Sequence, residues 1–343
     1  MPQKKILFIC GSLNQTTQMT QIASQIGEHD CFFTPFYADG LVDLAARAGL
    51  ADFTVLGGRH LEETLDFLGR RNLPLDPRGE KYDYDLVVTC SDLIVQDNVR
   101  RKRLVLVQEG ITEPESFVYD LVKWLKLPRY LANTATNGLS DAYDVFCVAS
   151  HGYRDLFIGK GARPEKIIVT GIPNFDHLQA ACDNDFPYRG HVLAATSPLR
   201  ESFRADDRPA FLKKCLRIAD GRQLIFKLHP IENEERAVRE IREHCPGAMV
   251  FARGNVNHMI ANAAVVVTQQ STCTFVAVGL GKETHTNLDM DQLRRLMPIQ
   301  NGGTSAVRIA NICRRVLRTP MRALQHVRQG IRRRPHWEQA DSY

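Results

Sequence analysis

The sequence predicts an α/β protein built from two doubly wound parallel-sheet domains in series. Three observations carry this. Short, uninterrupted apolar runs rich in β-branched residues recur along the chain, as strands covered on both faces should. Segments with helical spacing separate them, and strand–helix alternation is the pattern of parallel sheets. The pattern stops near Gly171, crosses a polar, turn-rich stretch and restarts near Val192.

In the first half, Ile6–Cys10, Cys31–Phe36, Phe53–Leu56, Leu86–Thr89, Leu104–Val107, Val145–Ala149 and Ile167–Thr170 read as buried strands. Gln18–Gly27 and His151–Lys160 read as helices between them. Pro173-Asn174-Phe175-Asp176 and the stretch from Asp183 to Gly190 form the linker. The second series of strands is Val192–Thr196, Leu224–Leu228, Met249–Phe251, Ala264–Thr268 and Thr284–Leu288. Arg208–Ala219, Glu234–His244 and Thr272–Val278 are its helices, and Gly302–Arg318 and Met321–Arg328 are helical candidates at the end. The domains expected are therefore 1–175 and 188–312, with a terminal helix and basic tail at 313–343.

Composition bounds the function. The 343 residues are 44% hydrophobic and 24% charged, which excludes a disordered or fibrous chain. The longest apolar runs, such as Ala263–Val267, fall far short of the ~18 residues that span a bilayer. The opening Met1-Pro2-Gln3-Lys4-Lys5 runs straight into Ile6–Cys10, too short for the apolar region of a signal peptide. Nine cysteines are scattered without a Cys-x-x-Cys pair. They read as free thiols in a reducing, cytoplasmic compartment and argue against a structural zinc site. A net charge of +5 is too mild for a nucleic-acid binder. The C-terminus differs. Arg314, Arg315, Arg318, Arg322, Arg328, Arg332, Arg333 and Arg334 fall within 21 residues that hold no acid. This suits either the solvated face of a terminal helix or peripheral contact with anionic lipid at the inner face of a membrane.

In open parallel sheets ligands bind outside the carboxyl ends of the strands. Two such domains facing each other make a cleft, a common ligand site. The residues after each strand are therefore the candidates. After the first strand, Gly11-Ser12-Leu13-Asn14 matches neither a dinucleotide fingerprint nor a P-loop. It is a polar turn entering a helix, which either offers N–H groups to an anion or sugar or is capped by Ser12 or Asn14. Asp92 follows the fourth strand and Glu109 the fifth. Two such carboxylates suit acid–base work; the alternative is that Asp92 caps a helix and Glu109 pairs with an arginine. In the second half, Arg200 suits bidentate phosphate binding. His229 in Lys227-Leu228-His229-Pro230 suits a leaving oxygen. Ser271 and Thr272 stand where a helix begins, as anion ligands or as plain caps. Asp289 and Asp291 alone among the Asp-x-Asp triplets follow a strand, and no cluster has transition-metal spacing. No metal ligand is assigned.

In this order the motifs resemble the GT-B superfamily of nucleotide-sugar enzymes, whose two Rossmann-like domains face each other across a cleft. Residues from Asn137-Gly138-Leu139-Ser140-Asp141 through Gly161-Ala162-Arg163-Pro164-Glu165-Lys166 to Val169-Thr170-Gly171-Ile172-Pro173 look like the non-hydrolysing UDP-N-acetylglucosamine 2-epimerases. The Gly11 loop, Asp92 and the Glu109-Gly110 turn fall where that family keeps its loop and catalytic carboxylates. Glu109 fits with a one-residue gap, so Gln108 is the alternative. Lys227-Leu228-His229-Pro230, Thr268-Gln269-Gln270-Ser271-Thr272 and Leu280-Gly281-Lys282 are similar to motifs of CDP-glycerol glycerophosphotransferases. The chain departs from the epimerases at Pro198, where they carry a catalytic histidine. It departs again at Phe275 or Val276, where an acid usually holds the ribose.

The resemblance implies a catalytic pair, Asp92 and Glu109. It implies a donor-binding set of Gly11, Ser12, Asn14, Gly171, Arg200, Glu201, Lys227, His229, Gln270, Ser271 and Thr272. The nucleotide-sugar or CDP-alditol is substrate, no cofactor is expected, and the acceptor is a saccharide or lipid-linked group. The first reading is a GT-B glycosyltransferase of surface polysaccharide or glycoconjugate synthesis. The alternatives are a 2-epimerase-like isomerase or a non-catalytic nucleotide-sugar-binding relative. A homodimer is left open, and no nucleic-acid partner is expected.

Overall fold

The computed structural model describes residues 2–52, 54–110, 112, 117–125, 127–201, 204–269 and 271–328. The chain divides into two compact units, Met1–Asp176 with Pro298–Tyr343, and His177–Met297.

The first unit runs β1 (Lys5–Cys10), α1 (Leu13–Ala23), β2 (Asp30–Pro35), α2 (Gly40–Arg47), α3 (Gly58–Arg70), β3 (Leu86–Thr89), β4 (Arg103–Val107), α4 (Phe117–Leu125), β5 (Val145–Val148), α5 (His151–Lys160) and β6 (Ile167–Val169). The strands form a sheet in the order β2-β1-β3-β4-β5-β6, and every pairing is parallel. The continuous apolar runs are explained by this order. Central β3 and β5 are buried at every residue, whereas edge strands β2 and β6 are mostly half-buried. Helix α5 shows how local chemistry sets boundaries. Ser150 accepts a bond from the Tyr153 N–H at its start, and Gly161, at φ +110°, ends it. Helix α1 begins at Leu13, five residues before the apolar spacing shows, because Ser12 caps it. The expected strand Phe53–Leu56 is not formed. Phe53 lies outside the described residues, and Thr54 makes a turn instead. Its Oγ1 donates to the Ala51 carbonyl at 2.8 Å and accepts from the Leu56 N–H at 3.1 Å.

The second unit runs β7 (Val192–Ala195), α6 (Arg208–Ala219), β8 (Leu224–Lys227), α7 (Glu234–His244), β9 (Met249–Phe251), α8 (Val256–Asn262), β10 (Val265–Thr268), α9 (Cys273–Gly279), β11 (Glu283–His285) and α10 (Met290–Leu296). Its parallel sheet has the order β11-β10-β7-β8-β9. Val192, Ala194, Phe226, Val265 and Val267 of the sheet pack with Phe211, Leu212, Cys215 and Ile241 of α6 and α7. The chain leaves β7 outward through β8 and β9 and returns to β10 on the other side, so the strand order reverses between β7 and β10. In the first sheet it reverses between β1 and β3. Such reversals open the crevices where ligands bind.

The units are bounded differently from the linker-based division. The second ends at Met297, not at 312, and α11 (Ser305–Arg318) and α12 (Met321–Arg328) belong to the first. The return is fastened at the carboxyl ends of β5 and β6. The Ile299 N–H donates to the Ala149 carbonyl at 3.0 Å. Asn301 and Ser305 donate to the Thr170 carbonyl, and the Ser305 N–H donates to the Asp176 carboxylate at 2.6 Å. Apolar spacing on α11 shows that it is buried but not against which sheet. All nine cysteines are unpaired. Burial raises the thiol pKa of Cys10, Cys90, Cys147, Cys215 and Cys313, so these thiols pack as apolar groups. Among the described residues no helix is long and apolar enough to cross a membrane.

Candidate functional site

The strongest constellation lies in the first unit, at the carboxyl ends of β1 and β4. Glu109 follows β4 and is half-buried. Its Oε1 accepts from the Ser12 hydroxyl at 2.7 Å, and its Oε2 accepts from Gln15 Nε2 at 2.6 Å. Asn14 Nδ2 lies 3.4 Å from its carbonyl and 3.5 Å from Oε1, and Gln18 Nε2 donates to the same carbonyl at 3.0 Å. Asn174 fixes Asn14 in turn, donating to its carbonyl at 2.9 Å and to Oδ1 at 2.6 Å. Among the described residues no arginine takes part. Neutral donors orient the carboxylate, and an oriented carboxylate is a group suited to proton transfer.

The local sequence explains the cradle. Ser12 both caps α1 and reaches Glu109, so the two roles weighed for it coexist. Gln15 folds back over Gly11, so a side chain there would push the Gln15 amide off Glu109. A Cβ there would lie 2.0 Å from Gln15 Oε1. Thr64 of α3 closes the far side by donating to the Gly11 carbonyl at 2.6 Å. Around this cradle Gln15 Oε1, Gln18 Oε1 and His60 Nδ1 are buried and have no hydrogen-bond partner among the described residues. Burial lowers the His60 pKa, while the Glu63 and Glu109 carboxylates pull it the other way. Buried groups left unpaired in a folded protein call for an explanation, and a catalytic role is one.

Asp92 stands elsewhere. Its side chain is fully buried. Oδ1 accepts from the Gly138 N–H at 2.7 Å, and Oδ2 accepts from the Ser140 N–H at 2.8 Å and from Arg129 at 3.2 Å. Arg129 also donates to its carbonyl at 2.5 Å, and Asn137 brackets the turn through Asp92 N and the Cys90 carbonyl. These bonds tie the Asp92 carboxylate to the 138–140 loop and to Arg129. Gly171 has φ +72°. It is buried beneath the return segment, where a Cβ would lie 2.3 Å from Ser305 Oγ and 2.6 Å from Asn301 Nδ2.

In the second unit the expected phosphate set is largely committed to protein partners. Arg200 grips Glu240 of α7 through two bonds of 2.8 and 2.6 Å and lies 3.3 Å from Asp206. Glu201 accepts from the Asn233 N–H at 3.1 Å and from Arg236. The dipeptide staples its loop to α7. Lys227 Nζ donates to the Leu228 and Ala252 carbonyls at 2.7 and 3.0 Å. All three side chains thus have protein partners. His229 is half-buried at the mouth of β8, its N–H donating to Glu232 at 2.9 Å. Ser271 Oγ accepts from the Cys273 N–H at 3.2 Å, and Thr272 is exposed. Gln270 lies outside the described residues. Asp289 caps α10, and Asp291 pairs with Arg294 at 3.2 Å.

A buried charge network was not foreseen from sequence. Glu232 accepts from Thr196 and from Arg208, and Arg208 also reaches Asp206 at 3.2 Å. The three ionic side chains are at most 3% exposed, yet Arg208 Nη1 has no partner among the described residues. Of the C-terminal arginines, Arg314 pairs with Glu28 and donates to the Gln25 carbonyl at 2.6 Å. Arg328 pairs with Asp144 at 2.8 Å and donates to the Lys102 carbonyl at 2.6 Å. Both serve the first unit. Arg332, Arg333 and Arg334 lie outside the described residues.

No protein-family model matches the chain, and no curated protein matches it. Solved structures do share its fold. A UDP-N-acetylglucosamine 2-epimerase from Neisseria meningitidis bound to UDP-N-acetylglucosamine is similar over 91% of this chain and 100% of its own, at 10% identity and a TM-score of 0.56. MnaA of S. aureus, solved with UDP, is similar over 92% and 97%, at 12% identity and 0.57. HepE of Anabaena, solved with UDP and glucose, is similar over 96% and 95%, at 15% identity and 0.50. The chain thus has the two-domain, Rossmann-like GT-B fold of these proteins.

Proposed function

We propose that the chain is a nucleotide-sugar enzyme in which Glu109 transfers the proton. The observation that carries the reading is the Glu109 cradle. The carboxylate is oriented by Ser12, Asn14 and Gln15, and Gln15 Oε1, Gln18 Oε1 and His60 Nδ1 are buried without partners among the described residues. It lies beside the crevice where the first sheet reverses its strand order, on a fold whose similar structures include UDP-N-acetylglucosamine 2-epimerases. Inversion at a sugar carbon needs a proton removed from one face and returned to the other. Glu109 supplies one titratable group. His60, kept toward its neutral form by burial, supplies a second. A donor's diphosphate is assigned to the His229 side chain, at the carboxyl end of β8, and to the Ser271–Thr272 turn, whose hydroxyls stand after β10.

One observation favours a second reading, a glycosyltransferase. Asp92 is committed to its loop, which leaves one carboxylate, and one base suffices to take a proton from an acceptor hydroxyl. Incubation with UDP-N-acetylglucosamine in heavy water separates the two. Deuterium at carbon 2 without any acceptor, lost in Glu109→Gln, is the epimerase result. Intact protium at carbon 2, with UDP released only when an acceptor is added, is the transferase result. Neither exchange nor release under any acceptor leaves a binding protein.

A further inference from the structure

The second unit holds a pocket that the proposed reaction does not use. It has a volume of about 510 Å³ and runs along one face of α6, within the size range of small-molecule sites. Arg204, Lys214 and Arg217 line it, with Gln269 and Asn287 at the carboxyl ends of β10 and β11 and an apolar wall that includes Leu199 and Phe211. The crevice where the strand order reverses between β7 and β10 opens at one end, since Leu199 follows β7 and Gln269 follows β10. Along α6 the lining from Asp207 to Arg217 covers about 15 Å at 1.5 Å per residue.

The charges are unbalanced. Lys214 and Arg217 make no hydrogen bond or ion pair among the described residues. The single acid in the lining, Asp207, accepts from the Ala210 N–H at 3.1 Å, and so spends its carboxylate on the start of α6. The pocket also carries an unmet acceptor. Gln269 is 5% exposed and donates through Nε2 to Asp206 at 3.1 Å, while its Oε1 is buried without a partner among the described residues. Lysine and arginine only donate. A ligand that answers them and Gln269 together must carry both an anionic group and a hydroxyl donor. We propose that this pocket binds a small hydroxylated phosphate monoester, of the sugar-phosphate class, separately from the donor site at His229 and Ser271.

Calorimetric titration of the whole chain with glucose 1-phosphate, orthophosphate and glucose tests this. Glucose 1-phosphate is expected to bind most tightly, orthophosphate more weakly and glucose not at all. Lys214→Glu with Arg217→Glu is expected to weaken glucose 1-phosphate by at least about tenfold, since each reversed charge removes a charge-assisted partner. Gln269→Leu is expected to erase the preference for glucose 1-phosphate over orthophosphate while orthophosphate still binds. UDP-N-acetylglucosamine titrated into the same proteins keeps the two claims apart, because its affinity stays at the wild-type value. No binding of either phosphate, or equal binding in the double variant, overturns the pocket. A parallel loss of UDP-N-acetylglucosamine affinity overturns its independence from the donor site.

Discussion

Asp92→Asn separates loop-holding from catalysis. The asparagine keeps one oxygen for the Gly138 N–H but turns an NH₂ toward the Ser140 N–H and Arg129, donor against donor. The wild-type contacts there are 2.8 and 3.2 Å long, and the carboxylate is fully buried. A bond to a charged group contributes about 1.5–3 kcal/mol, and removing one partner of a buried ion pair costs about 3–5 kcal/mol. These overlap and do not add. Arg129 is 26% exposed and water recovers part of its charge, which places the expected loss near the low end, about 3 kcal/mol. Urea unfolding, with hydrogen exchange read at the Gly138 and Ser140 amides, measures it. Both amides are expected to lose protection well before the rest of the first sheet. A variant within about 0.5 kcal/mol of wild type, with protected amides and no turnover, would make Asp92 a reacting group and refute the structural account.

Arg200→Ala frees Glu240 on a half-exposed surface, so calorimetry is expected to show unchanged UDP affinity with a stability loss of about 1 kcal/mol or less. Arg208→Ala strands Glu232 without its cation, while Asp206 keeps Arg200 at 3.3 Å, and is expected to cost about 3 kcal/mol by urea unfolding, whereas Arg208→Met with Glu232→Gln restores much of it. Burial lowers the His60 and His191 pKa values in the folded state. Below the ordinary value of about 6.5 the unfolded chain takes protons that the folded chain refuses, so stability falls as pH drops through that region, and His60→Gln with His191→Gln flattens the melting-temperature profile there. The Arg314 guanidinium pulls the Glu28 pKa from 4.5 to about 2. Its contribution is present above pH 4.5 and lost as pH falls toward 2, a loss that Glu28→Gln removes.

Much of the fold was legible because burial on both faces writes itself as continuous apolar runs. Val192–Thr196, Leu224–Leu228 and Ala264–Thr268 each contain a strand. Edge elements were blurred. The sequence places the last strand at Thr284–Leu288, but the chain pairs Glu283–His285, an exposed edge with little pattern. Loops were also misread where an apolar run lacks a neighbour, as at Thr54–Leu56. The site was half legible. A residue just past a strand is easy to find, so Glu109 and the Ser12–Asn14 loop stood out. What each side chain touches is a tertiary fact. Nothing local shows that Arg200 meets Glu240, forty residues on, or that Asp92 meets the 138–140 loop. Gln15 and Gln18 were the missed signal. Two buried amides on one face of a helix that follows a ligand-type loop point at a shared partner, and Glu109 is that partner.

The most direct measurement is equilibrium titration of UDP-N-acetylglucosamine and UDP into wild type and Glu109→Gln, with turnover followed in the same samples. The expected result is saturable binding of both ligands in both proteins, with chemistry confined to wild type. Failure of either nucleotide to bind, or full turnover by Glu109→Gln, would contradict a nucleotide-sugar reaction run from the Ser12–Gln15–Glu109 cradle.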